Sequence, residues 1–295
     1  MNQRSALGAL HIGALMFGLA GVLGKLAAAS PSVIVFGRAA FAAAALWLFI
    51  RFARNTAWTS LRLRHWAQLL LSGVLLSAHW VTFFMAVKIS GVAVATLGFA
   101  SFPAFTVILE GLFFRERIRL TEILLVVLVS AGLILVTPDF DLASEATTGL
   151  LWAIVSGLTF SLLSLINRAS SAHVPPVQAA LCQNLIVAVC LLPAAAGELG
   201  DVSRLDWLWI GLLGVFCTGV AHSLFVASLA VIKARIAAIV FAMEPIYGIA
   251  FAWLIFAESP SPSMLLGGTL IITAIMVSGL MNRSDTTPSA TARTH

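Results

Sequence analysis

Charged side chains are scarce in this 295-residue chain. Asp, Glu, Lys and Arg together make up 10% of it, where a soluble globular protein carries about 25%. So few charges cannot cover the surface of a water-soluble protein of this size. A disordered chain, a coiled coil and a cytosolic α/β enzyme are thereby excluded. Cysteine is limited to Cys182, Cys190 and Cys217, all within apolar runs. An odd number of lipid-embedded thiols argues against a disulfide framework and for small packing residues. No C-x-x-C pair or His/Cys cluster offers a metal site, and no cofactor is expected. The motifs H-E-x-x-H, G-x-S-x-G and G-x-x-x-x-G-K-[ST] are also missing. Their absence speaks against a metalloprotease, a serine hydrolase and ATP use, so the chain is not read as an enzyme.

Apolar residues fill the space that charges leave. They make up 60% of the sequence, and the mean hydropathy is +1.03. A bilayer core needs roughly 20 apolar residues per helix. Ten segments meet that need, near 6–29, 32–50, 66–87, 91–113, 119–137, 149–167, 176–196, 207–231, 236–257 and 263–282. The first resembles a cleavable leader, but Lys25 interrupts its end, and it is read as a retained helix. The expected class is an all-α membrane protein with ten transmembrane helices.

The net charge of +5 could point to nucleic acid, but the cations are sorted by loop. With both termini cytoplasmic, the inner tails and loops hold Arg4, Arg51, Arg54, Arg62, Arg64, Arg115, Arg117, Arg119, Arg168, Lys233, Arg235, Arg283 and Arg293. The outer loops hold only Lys88 and Arg204, together with Asp139, Asp141, Glu145, Glu198 and Asp201. This positive-inside pattern accounts for the basic balance by a bilayer and without nucleic acid.

The chain also repeats itself. At an offset of 142 residues, Phe99 aligns with Phe241, Pro103 with Pro245 and Glu116 with Glu258. At 143, Phe17 aligns with Phe160 and Lys25 with Arg168. The expected organisation is a first repeat over 1–137, an external linker over 138–147, a second repeat over 148–283 and a disordered cytoplasmic tail over 284–295. Each repeat has five helices, and an odd number turns the second copy upside down. Inverted repeats of this kind are a signature of secondary transporters.

The twin segments of Pro, thirteen positions, Glu, each closing a fourth helix, resemble the EamA-type branch of the drug/metabolite transporter superfamily. Within it, the sequence is most similar to bacterial amino acid exporters, including the aromatic type. The resemblance implies a ten-helix basket in the bacterial inner membrane. Its central cavity would be lined by spans one, three, four, six, eight and nine, with spans five and ten at the periphery.

Polar residues inside a bilayer are functional candidates by default. Pro103 and Pro245 each remove a backbone donor within a span, which makes both candidate hinges. Thr96, Phe99 and Glu110 share one face of the fourth span. Glu244 and Tyr247, the one tyrosine of the chain, share a face of the ninth. His79, with Trp80 and Phe83 nearby, and His222 lie near the centres of repeat-related spans. These residues are expected to line the cavity or to pack between helices. Glu110 could instead pair with Arg115 or Arg117. Arg38 sits near the N-terminal end of its helix, where the dipole opposes a cation, and it needs a carboxylate, a carbonyl cluster or a substrate anion. Lys25 and Glu258 read as structural. Together these features point to export of amino acids, aromatic and other neutral ones, or of related small metabolites. Cationic drug efflux and organophosphate or nucleotide-sugar exchange are the alternatives. No motif encodes the oligomeric state or the coupling ion.

Overall fold

Every regular element among the described residues is helical. The computed structural model describes residues 1–52, 58–114, 120–136, 144–241 and 243–284. The linker positions 138–143, the tail positions 285–295, and Arg115, Glu116 and Arg117 lie outside them.

Local chemistry sets many helix ends. α1 (Gln3–Leu26) starts where the Asn2 side chain accepts a hydrogen bond from the Ser5 amide. α2 spans Pro31–Phe52. α3 (Leu63–Phe99) has 37 residues. As one straight helix it would run about 55 Å, nearly twice the apolar thickness of a bilayer. It is instead two helices, joined at Gly91 with φ +82°. Only glycine enters that region without strain, so the expected segments 66–87 and 91–113 meet there. α4 (Phe102–Phe114) and α5 (Leu120–Val136) follow. α6 (Glu145–Ser170) is capped by Ser144, with Glu145 in its first turn and Arg168 in its last, both favoured by the helix dipole. α7 (Pro176–Ala195) opens with a proline, whose missing donor costs nothing in a first turn. α8 (Arg204–Gly214) is capped by Ser203. It runs through a π-helical turn, Val215–Val220, into α9 (Ala221–Leu229). α10 (Ala234–Phe241), α11 (Glu244–Phe256) and α12 (Pro262–Ser284) complete the chain.

Two expected spans are therefore broken. The segment 91–113 is interrupted at Ala100 and Ser101, and 236–257 between Phe241 and Glu244. Pro103 and Pro245 are each the second residue of a new helix, α4 and α11, not interior residues that kink a continuous one. At the first break the Phe102 carbonyl accepts from both Thr106 Oγ1 (2.8 Å) and Ser161 Oγ (2.7 Å). A neighbouring helix thus fastens its hydroxyl to the first carbonyl of α4, just past the break.

Among the described residues six helices, counting Arg204–Leu229 as one, are long and apolar enough to cross a membrane, and shorter apolar helices accompany them. The outside carries large exposed apolar side chains such as Trp47, Phe52, Trp253 and Leu254, a surface suited to lipid and not to water. Inside, one large apolar cluster joins α1, α2, α3 and α6 to α11. α5 and α12 pack against each other and share a separate, smaller cluster.

Candidate functional site

Contacts along the helices fix the direction of each wall. His79 of α3 meets Ser156 of α6, and a Cβ on Gly149 would strike Ser90. α6 therefore runs antiparallel to the first half of α3. The C-terminal part of α1 lies at the Ser90 end of α3, since Gly24 approaches Phe84 and the Ala27 carbonyl accepts from Lys88. Lys25 thus lies level with the start of α6, while Arg168 lies at its other end. The 19 residues from Gly149 to Arg168 span about 28 Å, close to the thickness of a bilayer core.

Each end carries an ion pair between helices. Lys25 of α1 pairs with Glu258 just beyond α11, and its ammonium also lies 5.0 Å from the Phe256 ring. Arg168 of α6 pairs with Glu110 of α4. Glu110 therefore has a partner on another helix, which the expected pairing with its own neighbours Arg115 and Arg117 did not include. Inter-helix partners of this kind carry no local sequence signal.

Between the two ends lies a small cavity lined by Phe17, Ala20, Arg38, His79, Trp80, Phe83, Phe99, Phe160 and Glu244. It is about 20 Å³ in volume, room for about one water molecule. Six expected site residues meet in this cavity: Arg38, His79, Trp80, Phe83, Phe99 and Glu244. Phe17 and Phe160 join them from α1 and α6. Both were visible as repeat-mates, but nothing in their surroundings marked them as site residues.

Arg38 is deeply buried, at 2% exposure. Its approach needs close packing of α2 on α8. A Cβ on Gly214 would stand 2.7 Å from the Arg38 carbonyl, and one on Gly37 3.0 Å from the Trp207 ring. The π turn then delivers Thr218. The Thr218 hydroxyl donates to the Leu213 carbonyl and accepts from Arg38 Nε, both at 2.9 Å. The guanidinium lies over Trp80 at 4.0 Å and 5.3 Å from the Phe84 ring. Cation–π contacts of this kind are worth about 0.5–2 kcal/mol each, while Nη2 has no hydrogen-bond partner. Thr218 went unnoticed in the sequence because a π turn leaves no composition signal.

Glu244 is 4% exposed, in the first turn of α11, where the dipole favours an anion. His79 Nδ1 lies 3.1 Å from the Ser156 carbonyl and 2.7 Å from its hydroxyl, and that hydroxyl also donates to the His79 carbonyl. These contacts fit the tautomer with its proton on Nδ1. Nε2 is then an acceptor. The His79 ring is surrounded by Phe160, Phe99 and Phe83 at 4.8, 5.2 and 6.3 Å.

Other expected site residues lie outside the cavity lining. Thr96 bonds its own helix at the Val92 carbonyl and touches the Gly248 region. Tyr247 packs against Gly18 of α1. His222 bonds Gln183 at 2.8 Å, and Gln183 Nε2 donates on to Ser72 and Asn167. This buried chain joins α9, α7, α3 and α6.

An all-helical protein with a lipid-facing apolar exterior and a closed polar centre belongs among multi-pass membrane transporters. The sequence matches the EamA-like transporter family over residues 4–137 and 147–280, and the chain belongs to that family. It is 28% identical over 293 residues to the uncharacterized transporter YwfM of Bacillus subtilis (strain 168), covering 95% of each chain. It is 24% identical to an S-adenosylmethionine uptake transporter of Rickettsia bellii (strain RML369-C), covering 82% of this chain and 81% of that one. A solved crystal structure superimposes with a TM-score of 0.72 at 18% identity, covering 97% of this chain and all of the other. That likeness concerns the fold. Family and relatives point to a transporter rather than an enzyme.

Proposed function

We propose that this protein is a secondary transporter that exports amino acids, aromatic and other neutral ones included, or related small metabolites. It would work by alternating access across a bacterial inner membrane. The helices are read as ten crossings in two inverted halves, 1–137 and 148–283, with both termini cytoplasmic. The packing supports this reading, because contacts come in repeat-related sets. α1 packs on α11 as α6 packs on α4, α2 packs on α7, and α5 packs on α12. The observation that carries the proposal is an aromatic cavity between two inter-helix ion pairs, Lys25–Glu258 towards one end and Glu110–Arg168 towards the other. Breaking one pair while the other holds opens the cavity to one side only. The broken helices that begin with Pro103 and Pro245 are the elements proposed to move.

The relatives named for S-adenosylmethionine uptake favour a second reading. In it the solute is an amino acid with a bulky cationic side chain, and the physiological direction is inward. The Arg38 and Glu244 charges suit the amino acid end in either case. Counterflow in proteoliposomes, with L-phenylalanine, L-leucine, S-adenosylmethionine, a cationic dye and a sugar nucleotide, tests both. Amino acid exchange supports the first reading. Exchange of S-adenosylmethionine alone supports the second, and exchange of only the dye or the sugar nucleotide refutes both.

A further inference from the structure

Two opposite charges share the central cavity without neutralising each other. Arg38 and Glu244 both line it, yet no ion pair links them among the described residues. Arg38 has one hydrogen bond, through Nε, and its buried Nη2 has none. Among the described residues no hydrogen bond uses the Glu244 carboxylate, although the residue is only 4% exposed. The walls around them are aromatic. A guanidinium offers five donors and a carboxylate about four acceptor sites, so both groups hold unused capacity in a medium where unused capacity is costly.

From this we infer that Arg38 and Glu244 are the two poles of a zwitterion site. Arg38 takes the α-carboxylate of the solute through its guanidinium fork, and Glu244 takes the α-ammonium. The inference rests on the transport reading above and names the substrate feature that it requires. The charge balance gives its logic. The empty site holds one basic and one acidic group that form no ion pair with each other. A bound zwitterion adds no net charge and pairs both poles, so the loaded site can cross between the two faces as a neutral unit. A solute of one sign pairs one pole and leaves the other buried beside an uncompensated charge, which low-dielectric sites reject strongly. Aromatic walls then take the apolar side chain, and the Nε2 acceptor of His79 is suited to a second ammonium proton.

The repeat supports the assignment independently. At the offsets that align the two halves, Arg38 falls on Leu181 and Glu244 on Phe102. Neither pole has a charged counterpart in the other half. Lys25, by contrast, aligns with Arg168, a cation at each end. The cations at the ends thus follow the symmetry of the scaffold, although of their partners Glu258 aligns with Glu116 and Glu110 with Ala252; both poles at the centre depart from it, as a site for an asymmetric solute requires.

The test is inhibition of L-phenylalanine counterflow into proteoliposomes holding the unaltered protein. Competitors are L-leucine, phenethylamine, which lacks the carboxylate, and 3-phenylpropionate, which lacks the ammonium. L-leucine should compete, and each one-sign analogue should be weaker by about 100-fold or more, the scale on which sites with unpaired polar groups discriminate. Glu244→Gln should narrow the gap between 3-phenylpropionate and L-phenylalanine, and Arg38→Gln the gap for phenethylamine. Because the analogue series needs no variant, a misfolded substitution leaves the test intact. Competition by either analogue equal to that of L-leucine would overturn the two-pole assignment while leaving amino acid transport standing. No counterflow by any amino acid, with a dye or sugar nucleotide carried instead, would overturn the transport reading and this assignment together.

Discussion

The two terminal ion pairs differ in burial, and that difference predicts which end of the transporter opens more easily. Lys25 and Glu258 expose 34% and 25% of their side chains, whereas Arg168 and Glu110 expose 22% and 2%. A pair so open to solvent contributes about 0.2–1 kcal/mol. Glu258→Gln should therefore raise the population open at the Lys25 end by about 1.4- to 5-fold, since 1.4 kcal/mol corresponds to a factor of ten. Charge-assisted hydrogen bonds with a buried partner are worth about 1.5–3 kcal/mol. Glu110→Gln should therefore raise opening at the Arg168 end by about 10- to 150-fold. The assay uses a cysteine at Ala20, which lines the cavity, with Cys182, Cys190 and Cys217 replaced by alanine. An impermeant maleimide is applied to intact cells and to inverted vesicles, and initial labelling rates are compared. Glu258→Gln should speed labelling in cells by the smaller factor, and Glu110→Gln labelling in inverted vesicles by the larger one. If both substitutions speed labelling from the same side, or neither changes any rate, the ion pairs do not close the cavity.

Further outcomes can be checked with simpler measurements. A Cβ on Gly18 would stand 2.6 Å from Tyr247 Cβ and 3.0 Å from the Gly248 amide nitrogen, against 3.4–4 Å for ordinary contact. Gly18→Ala should consequently cost about 1–3 kcal/mol in thermal or denaturant unfolding, while Gly8→Ala, with nothing within 4 Å, should not show that packing penalty. Thr218→Val removes the acceptor for Arg38 Nε, so it should weaken substrate affinity by about tenfold, in line with one charge-assisted bond, and restoration by Thr218→Ser would tie the effect to the hydroxyl. Cysteine placed at Gly200 should react with an impermeant reagent in intact cells and cysteine at Ser60 should not; the reverse pattern would invert the proposed orientation. His79→Ala should reduce amino acid transport per folded molecule by roughly 1–3 kcal/mol of lost binding; a drop in thermal stability with transport unchanged would assign His79 to packing on Ser156 alone.

Much of this architecture was legible in the residues because bilayer physics acts on composition. Apolar length marks the helices, and the Pro103/Pro245 and Lys25/Arg168 matches mark residues that lie at corresponding helix starts and in ion pairs or helix ends of the structure. The buried charges Arg38 and Glu244 stood out for the same reason, since a charge in an apolar run has few explanations. What escaped the sequence was set by contacts between helices. A proline at position 103 reads the same whether it kinks one helix or begins another, and the Ser161 hydroxyl that bonds the Phe102 carbonyl just past the break comes from 59 residues away. Glu110 had basic neighbours in sequence, yet its partner Arg168 arrives on α6. Phe17 and Phe160 looked like any membrane-embedded phenylalanine until helix directions brought them to one cavity.

The same comparison explains how a duplicated scaffold acquires a specific site. Two broken helices, two cations at opposite ends and two close helix contacts recur along the chain, and in the proposed transport cycle these would serve motions that the halves exchange. A perfectly symmetric cavity would present each feature twice, and would bind a two-poled solute equally well in two opposed poses. Only one of those poses could match both faces of the transport cycle. In the proposed site, Arg38 in one half and Glu244 in the other would remove the degeneracy, because the guanidinium and the carboxylate lie on different helices with uncharged Leu181 and Phe102 at the aligned positions. The π turn fits this division. It interrupts α8 and α9 to bring Thr218 beneath Arg38, whereas no π turn occurs in the described part of α3, the related helix of the first half. Local irregularity is thus concentrated where one charge must be held in a single orientation, and the regular parts of the fold are left to carry the exchange between its two ends.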